Sequence, residues 1–238
     1  SLHLLDYRVE MWSQDDNRLG DAYMNIFWSP GEVVTDVHHI KVQSHIPPGL
    51  YQVELGLYDY ENGNFEFLPV AAESDETLSN PLNIILAEVR IQDTAFGQTP
   101  DYDIGANLAG HIDLLGYNLS PDAISVSGSL ALTLFWENQQ RILDNYTVFT
   151  QLIGPDGRVW AQQDNQPQQG RYPTSQWQTS DQVVDRYYLE IDPNAPPGNY
   201  QLITGMYDLN TGQRLMATTQ QGQPYPNDAI LLGNFSVN

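Results

Sequence analysis

The sequence contains no cysteine, a single lysine and only nine basic residues against thirty acidic ones. Without cysteine the chain forms no disulfide, no thiolate metal site and no cysteine nucleophile. The formal charge of -21 argues against nucleic-acid binding, which needs a basic surface, and against docking on anionic lipid. No apolar run approaches the ~18 residues of a membrane span, so we expect no membrane insertion by these residues.

Charged residues are few as well as mostly acidic. They make up 16% of the chain, against roughly 25% in typical soluble domains. Apolar residues make up 41% of the chain, which also has 14 tyrosines and five tryptophans. This content is enough to build a hydrophobic core. We therefore expect the acidity to be a property of the surface, and we do not expect disorder.

The chain contains an internal duplication. Residues 28–63 align without a gap with residues 177–212 at a constant shift of 149, and twelve of the thirty-six pairs are identical, whereas on the order of 2 are expected by chance. The repeated signature has four aromatic or acidic positions in each copy: Trp28, Tyr51, Tyr58 and Asp59 match Trp177, Tyr200, Tyr207 and Asp208. We therefore predict two copies of one fold.

The repeated unit has the pattern of strands joined by a proline-glycine corner. In the second copy, residues 196–198 are Pro-Pro-Gly and a β-rich run starts at Tyr200. A tyrosine just after such a corner is typical of the tyrosine corner of immunoglobulin-like sandwiches, in which its hydroxyl bonds the preceding loop. Helical periodicity with caps is weak throughout. The sequence predicts an all-β chain of two tandem immunoglobulin-like or jelly-roll-like β-sandwich domains related by duplication.

The predicted domains are a first sandwich over residues 1–95, a linker over 96–109 that is rich in turn formers, and a second sandwich over 110–238. The second copy has a strand of apolar residues at 130–136 that has no counterpart in the first. We therefore expect the first sandwich to be an N-terminally truncated copy that a native upstream segment completes. Completion by the linker or by another subunit is the alternative.

Several turn and core motifs occur together in the second copy, at residues 115–120, 132–136, 146–149, 163–164, 172–174, 196–200 and 205–208. In this combination they resemble the soluble C-terminal β-sandwich region of bacterial multi-span membrane glycosyltransferases. Those enzymes are similar to protein O-mannosyltransferases and other polyprenyl-phosphate-sugar transferases. The resemblance covers most of residues 110–238 and, through the repeat, the weaker first copy.

This resemblance implies a non-catalytic, extracytoplasmic accessory region that is membrane-tethered through its parent protein. Its partners are then a glycan, an acceptor or the membrane part of the parent protein. The catalytic acids of such enzymes lie in membrane loops, so the resemblance implies no catalytic residue here. An independent secreted adhesion or scaffold module is the first alternative.

Catalytic signatures are missing from the sequence, which has neither a G-x-S-x-G nucleophile motif nor a phosphate-binding loop. Abundant carboxylates leave a β-sandwich glycoside hydrolase as the second alternative, because that chemistry uses two acids at a defined separation. The strand-end candidates are Asp164, Asp185 and Asp208. The last two recur in the first copy as Asp36 and Asp59, which favours structural roles such as bonding turn amides. We therefore predict no catalytic residue.

Acidic clusters at residues 15–21 and 101–103 present oxygens, but neither fits the twelve-residue calcium loop with its closing glutamate. We therefore predict no cofactor and no metal site, with a loop-bridging calcium ion as the alternative.

Residues 163–177 form a long segment rich in polar and aromatic side chains, and long loops on a rigid scaffold are where binding tends to occur. Asp164, Arg171 and Tyr172 have no match in the first copy, where this loop is shorter. We predict these three as ligand-binding residues. Trp136 and Trp177 are predicted to be packing residues instead.

Overall fold

The computed structural model describes residues 1–17, 27–43, 46–61, 64–69, 82–91, 97–120 and 128–237. The chain forms two compact units that divide between Ile91 and Gln92. Strands account for the regular structure, and the described ranges contain short 3-10 turns but no α-helix. The prediction of an all-β chain is confirmed.

Unit 1, residues 1–91, contains a four-stranded antiparallel sheet and a two-stranded hairpin. Its strands are β1 (Leu2–Asp6), β2 (Met11–Asp15), β3 (Gly49–Gly56), β4 (Tyr58–Glu61), β5 (Asn64–Phe67) and β6 (Asn83–Ile91). The sheet has the order β2-β1-β3-β6, while β4 pairs only with β5.

Unit 2, residues 92–238, contains two sheets. Its strands are β7 (Tyr102–Leu108), β8 (Ile112–Ser120), β9 (Ser129–Asn138), β10 (Tyr146–Ile153), β11 (Val159–Asn165), β12 (Gln182–Glu190), β13 (Gly198–Asp208), β14 (Ala217–Thr218) and β15 (Ile230–Val237). One sheet has the order β11-β10-β13-β15 and the other has the order β12-β9-β8-β7-β14.

Alternation along each strand builds the core of unit 2. On β9 the side chains of Leu130, Leu132, Leu134 and Trp136 are fully buried, as expected for residues that share one face at a period of two. The Tyr117 hydroxyl on β8 donates a hydrogen bond of 2.8 Å to the carbonyl oxygen of Leu232 on β15 and so joins the two sheets. The predicted packing role of Trp136 is confirmed.

The segment expected as a linker, residues 96–109, differs from the prediction because β7 lies inside it. β7 pairs with β8 through a tight turn at Ala109 and Gly110, which have positive φ angles of 51° and 77°. The turn formers that suggested a linker instead close a hairpin of the second unit. Strand pairing overrides the weak local pattern here.

Strand order gives the clearest structural evidence for the duplication. The order β2-β1-β3-β6 of unit 1 matches β11-β10-β13-β15 of unit 2. A β-bulge between Leu4 and Leu5 matches one between Leu152 and Ile153, and a bulge between Val53 and Glu54 matches one after Leu202. Bulges are specific local features of a strand pair, so the two sheets share their backbone path.

Candidate functional site

The outer face of the five-stranded sheet carries a row of polar side chains in directly opposed positions. Asn107 on β7 pairs with Asp113 on β8, Asp113 with Glu137 on β9, and Glu137 with Gln182 on β12. Directly opposed residues on one face of a sheet lie about 5 Å apart. The row is therefore a continuous line of carboxylate and amide groups.

Hydrogen bonds fix part of this row. The Asn107 side-chain amide donates to one oxygen of Asp113 over 2.6 Å, and the Gln139 amide donates to the other oxygen over 2.7 Å. Gln139 also donates to Glu137 over 3.1 Å. A carboxylate oxygen can accept two hydrogen bonds, so Asp113 keeps acceptor capacity for a ligand while these bonds hold its orientation.

Next to the polar row lies an apolar patch made of Leu115, Phe135 and Val184. Phe135 and Val184 are buried and opposed to each other, and Leu115 packs against them. These side chains stand on the outer face of the sheet, away from the core between the two sheets. Because Phe135 and Val184 are buried, the partly exposed Leu115 is the member of this patch that offers apolar contact area beside the hydrogen-bonding groups.

A cleft of about 380 Å³ opens at the β7 side of this face, within the range of ~300–1,000 Å³ for small-molecule sites. Its lining residues come from β7, β8, β14 and the turn after β14: Gly105, Asn107, Asp113, Leu115, Thr218, Thr219, Gln220 and Gly222. None of these eight is basic, and hydroxyl, amide and carboxylate groups predominate. The lining suits an uncharged ligand with many hydroxyl groups.

Gly105 shapes one wall of the cleft. Its φ angle is +65°, and a Cβ atom at this position would collide with the side chain of Gln220. A bulge between Asp103 and Ala106 places Gly105 there. Glycine both accepts the left-handed conformation and leaves room for the Gln220 side chain against β7.

Asp164, the first predicted ligand-binding residue, lies on β11 opposite Phe149 of β10 and does not line the cleft. One of its oxygens accepts a hydrogen bond of 3.3 Å from the hydroxyl of Tyr207. Removal from water raises the pKa of Asp164 above its ordinary value, while the Tyr207 hydrogen bond and the charge of Arg214 act in the opposite direction. Asp164 thus belongs to a cover over the outer face of the four-stranded sheet.

Phe149 is the residue that this cover shields from solvent. It is 1% exposed, with the Arg214 guanidinium carbon 4.2 Å from its ring centroid and the Tyr207 ring centroid 6.4 Å away. Arg214 also donates a hydrogen bond of 3.1 Å to the carbonyl oxygen of Asn227. These contacts shield an aromatic ring that would otherwise face solvent.

Tyr172, another predicted binding residue, is packed inside the protein. It is 5% exposed and its hydroxyl donates to a carboxylate oxygen of Asp181. The indole nitrogen of Trp177 donates to the Tyr172 carbonyl oxygen over 2.9 Å. A buried ring with an occupied hydroxyl offers no stacking face to a sugar. The third predicted binding residue, Arg171, is half-buried next to Tyr172 in the chain.

The segment 163–177 as a whole folds back onto the sandwich. Pro167, Thr174 and Trp177 are buried, and the Thr174 hydroxyl donates to the Asp144 carbonyl oxygen over 2.6 Å while accepting from the backbone N–H of Tyr146 over 2.9 Å. The segment looked like a binding loop because it is long and aromatic. Its aromatic residues instead supply packing, which confirms that prediction for Trp177.

The two recurring acids of the second copy hold backbone amides. One carboxylate oxygen of Asp185 accepts from the N–H of Gln168 over 2.8 Å, and Asp208 accepts from the N–H of Asn210 over 2.7 Å. Asp185 also accepts from the Tyr187 hydroxyl over 2.6 Å. Burial raises the pKa of Asp185 to about 6, against these hydrogen bonds, which lower it. Both acids therefore have the structural role that their recurrence in the two copies predicts.

Two of the first-copy signature residues, Trp28 and Asp59, are more exposed than their second-copy counterparts. Trp28 is half-buried, and the ring centroids of Tyr58 and Phe67 lie 5.9 Å apart. Asp59 is exposed and opposes Glu66 in the β4-β5 hairpin. Tyr51 matches the burial of its second-copy counterpart, at 2% exposed against 0% for Tyr200, and Tyr58 and Tyr207 are both half-buried.

No group of three or more metal-ligating side chains occurs among the described residues. In the cluster at 15–21, Asp15 bonds His38, His39 and Asn17, while residues 18–21 lie outside the described residues. In the cluster at 101–103, the N–H of Asp101 donates to the side chain of Asn118. No helix of the described part is long and apolar enough to span a membrane.

Sequence reasoning missed Asn107, Asp113 and Gln139. Asn107 lay in the expected linker, and one acid on a strand is not informative by itself. A usable signal was the short Ala109-Gly110 turn, which places Asn107 and Asp113 opposite each other in a hairpin.

No protein-family model matches the chain, and no curated protein sequence matches it. Solved structures that are similar to part of the chain include the following two. The C-terminal domain of Wzt is 13% identical, with a TM-score of 0.40 over 60% of this chain and 84% of that one. The CARDB domain of a Pyrococcus furiosus protein in complex with di-metal ions is 11% identical, with a TM-score of 0.32 over 62% of this chain and 99% of that one. The all-β architecture described above follows from the strand pairing of the chain itself.

Proposed function

We propose that the chain is a non-catalytic, glycan-binding accessory region of a membrane glycosyltransferase, and that it binds neutral carbohydrate in the cleft beside Asn107 and Asp113. The observation that carries this proposal is the fixed polar row, with the partly exposed side chain of Leu115 beside it in the cleft. A sugar presents hydroxyl groups at its edge and apolar C–H groups on its faces. Held carboxylate and amide groups bond the hydroxyls, and the side chain of Leu115 contacts the C–H groups.

Charge argues against an anionic ligand. The cleft lining has the carboxylate of Asp113 and no lysine or arginine, and Glu137 stands directly opposite Asp113. An anionic ligand such as a sugar phosphate would meet two like charges at close range, which is unfavourable. Uncharged hexose oligomers meet no such penalty.

The binding proposal is tested by titrating the whole chain with neutral mannose-type oligosaccharides and following the backbone amide NMR signals. We expect the largest changes at residues 105–115 and 218–222. Replacing Asp113→Ala should weaken binding at least about tenfold, because a charge-assisted hydrogen bond contributes about 1.5–3 kcal/mol. Thermal unfolding of the variant checks that the fold is retained.

The matched control is Glu190→Ala, which removes an exposed acid from the end of β12 outside the cleft and should leave the affinity unchanged. Equal weakening by both substitutions would indicate general electrostatics. Absence of amide changes with every neutral sugar contradicts glycan binding and favours the adhesion or scaffold alternative.

The resemblance to the soluble regions of membrane glycosyltransferases supports an extracytoplasmic position. The test is antibody labelling of the native protein in spheroplasts, before and after permeabilisation. We expect labelling of intact spheroplasts and recovery of the protein in the membrane fraction. Labelling that requires permeabilisation contradicts the extracytoplasmic position.

A further inference from the structure

The polar row on the outer face of the five-stranded sheet extends onto a fifth strand. Thr218 on β14 stands directly opposite Asn107 on β7, and the row then continues through Asp113, Glu137 and Gln182. These five residues follow the order of the strands across the sheet, β14-β7-β8-β9-β12. Every strand of this sheet therefore contributes one polar side chain to a single line, the five-residue row.

Burial along each strand shows that the five-residue row faces away from the core. Since successive side chains of a strand point to opposite faces, the chain neighbours of the row members should point into the core. These neighbours are at most 2% exposed: Ala217, Leu108, Ile112, Leu114, Trp136 and Val183. Gln182 is exposed and the other four row members are half-buried, so solvent reaches all five.

Hydrogen bonds hold the centre of the row in place. The side-chain oxygen of Asn107 accepts from the backbone N–H of Gly110 over 2.7 Å, while its amide nitrogen donates to Asp113. The amide of Gln139 donates to both Asp113 and Glu137. An amide nitrogen carries two donor hydrogens and a carboxylate oxygen can accept two hydrogen bonds, so the row retains capacity for a ligand. Groups that are fixed before binding lose little conformational freedom when a ligand arrives.

The two acids at the centre of the row are not placed for stability. Asp113 and Glu137 stand directly opposite each other, and like charges in this arrangement destabilise a sheet. A basic side chain at either position would form a favourable pair, yet no member of the row is basic. The facing carboxylates are explained by a ligand that uses them as hydrogen-bond acceptors.

The length of the row sets the length of its ligand. Neighbouring strands lie about 4.8 Å apart, so the four spacings give a row of about 19 Å. The cleft is lined by Thr218, Asn107 and Asp113, and Glu137 and Gln182 continue the line beyond its lining. A pyranose unit in an extended oligosaccharide advances the chain by a length close to one strand spacing, so about four units span the row.

We propose that the ligand of this site is a linear, uncharged oligosaccharide of about four units that lies across the five strands. One end of the oligosaccharide lies in the cleft and the other end lies over Gln182. The inference rests on the glycan-binding function proposed above and adds the length and the direction of the ligand. Hydroxyl groups of successive units bond successive members of the row, and the facing acids Asp113 and Glu137 disfavour chains that carry carboxylate or phosphate groups.

The test measures how the affinity depends on the length of the ligand. The whole chain is titrated calorimetrically with linear mannose oligosaccharides, from the monosaccharide to the hexasaccharide. We expect each added unit up to the tetrasaccharide to raise the affinity about fivefold, as one further neutral hydrogen bond does. The pentasaccharide and the hexasaccharide should bind no more tightly, because β12 is the last strand in the order of this sheet.

Backbone amide NMR signals show where the ligand lies. The disaccharide should change the signals of residues 105–115 and 218–222. The tetrasaccharide should change these signals and also those of residues 136–138 on β9 and 182–184 on β12, which its further units reach. This spread across the strands would not occur if longer ligands bound more tightly only because they offer more copies of the same sugar.

A variant at the far end of the row separates length recognition from binding in the cleft. Gln182→Ala removes the member furthest from the cleft and should lower the ratio of tetrasaccharide to disaccharide affinity about fivefold. The matched control is Gln201→Ala, which removes the same side chain from an exposed position on β13 of the other sheet and should leave this ratio unchanged. Thermal unfolding of both variants checks that the fold is retained.

Three results overturn the proposal while glycan binding in the cleft still stands. The tetrasaccharide binds no more tightly than the disaccharide, or it leaves the β9 and β12 signals unchanged, or Gln182→Ala and Gln201→Ala change the affinity ratio alike. An affinity that keeps rising to the hexasaccharide contradicts the proposed length. If no oligosaccharide of any length binds, the proposed function itself fails.

Discussion

Tyr51 and Tyr200 make the same hydrogen bond in the two units. Each hydroxyl donates over 2.6 Å to the carbonyl oxygen of the proline four residues earlier, Pro47 and Pro196. Both tyrosines are buried. The tyrosine-corner interaction expected from the sequence therefore occurs in both copies, and it fixes the path of the chain from the proline corner into β3 and β13.

Removing the hydroxyl from this corner should destabilise unit 2. Tyr200→Phe should lower the free energy of unfolding by about 1 kcal/mol, because the Pro196 carbonyl loses its donor while the ring still packs. Urea denaturation measures the change. Tyr188→Phe is the matched control, since Tyr188 is 62% exposed and should change stability by less than about 0.5 kcal/mol. Equal effects would show that the corner hydrogen bond contributes nothing of its own.

Asp185 should make the stability of unit 2 depend on pH. Its folded-state pKa of about 6 lies above the value of about 3.9 for an unfolded chain, so the folded state binds more protons between about pH 4 and 6. The free energy of unfolding therefore falls as pH rises through this window, by up to ~3 kcal/mol for two pKa units.

Asp185→Asn tests this dependence, because the variant lacks the titrating group while every other acid remains. We expect the stability of the parent chain relative to the variant to decrease from pH 4 to pH 6 and then to level off. A difference that stays constant over this range contradicts the raised pKa.

Gly105 and Gly157 offer a matched pair for testing the cleft. Both have positive φ angles, +65° and +76°, but a Cβ at Gly157 meets no atom within 4 Å, whereas one at Gly105 meets Gln220. Replacing either by alanine should cost about 1 kcal/mol of stability from backbone strain. Only Gly105→Ala should shift the amide signals of residues 218–222 and weaken sugar binding. Similar sugar affinity in both variants would contradict the assigned site.

Arg214 should stabilise unit 2 by covering Phe149. Arg214→Ala removes the cation–π contact and the packing of the aliphatic stem, so we expect a loss of about 1–2 kcal/mol in the free energy of unfolding. Arg158→Ala is the control, because the Arg158 side chain is 78% exposed and surface ion pairs contribute little. If the two variants are equally stable, the cover over Phe149 has no energetic role.

The candidate site was hard to predict because its residues become neighbours only through strand pairing. Asp113 and Glu137 are 24 positions apart and meet across β8 and β9. Asp164 and Tyr172 looked like binding residues because their types suit sugar recognition, yet Tyr172 is buried. The type of a residue suggests its chemistry, but the exposure and direction of its side chain decide whether a ligand can reach that side chain.

The sequence by itself determined the duplication, the all-β class and the corners, because identical spacing of proline, glycine and tyrosine fixes local backbone geometry wherever it occurs. It also determined that the surface is acidic. Only the tertiary structure decided which strand covers which face. Pairing between distant strands depends on packing and on backbone hydrogen bonds over long separations, and neither leaves a local pattern. For that reason the cleft beside Asp113 became visible only in the folded chain.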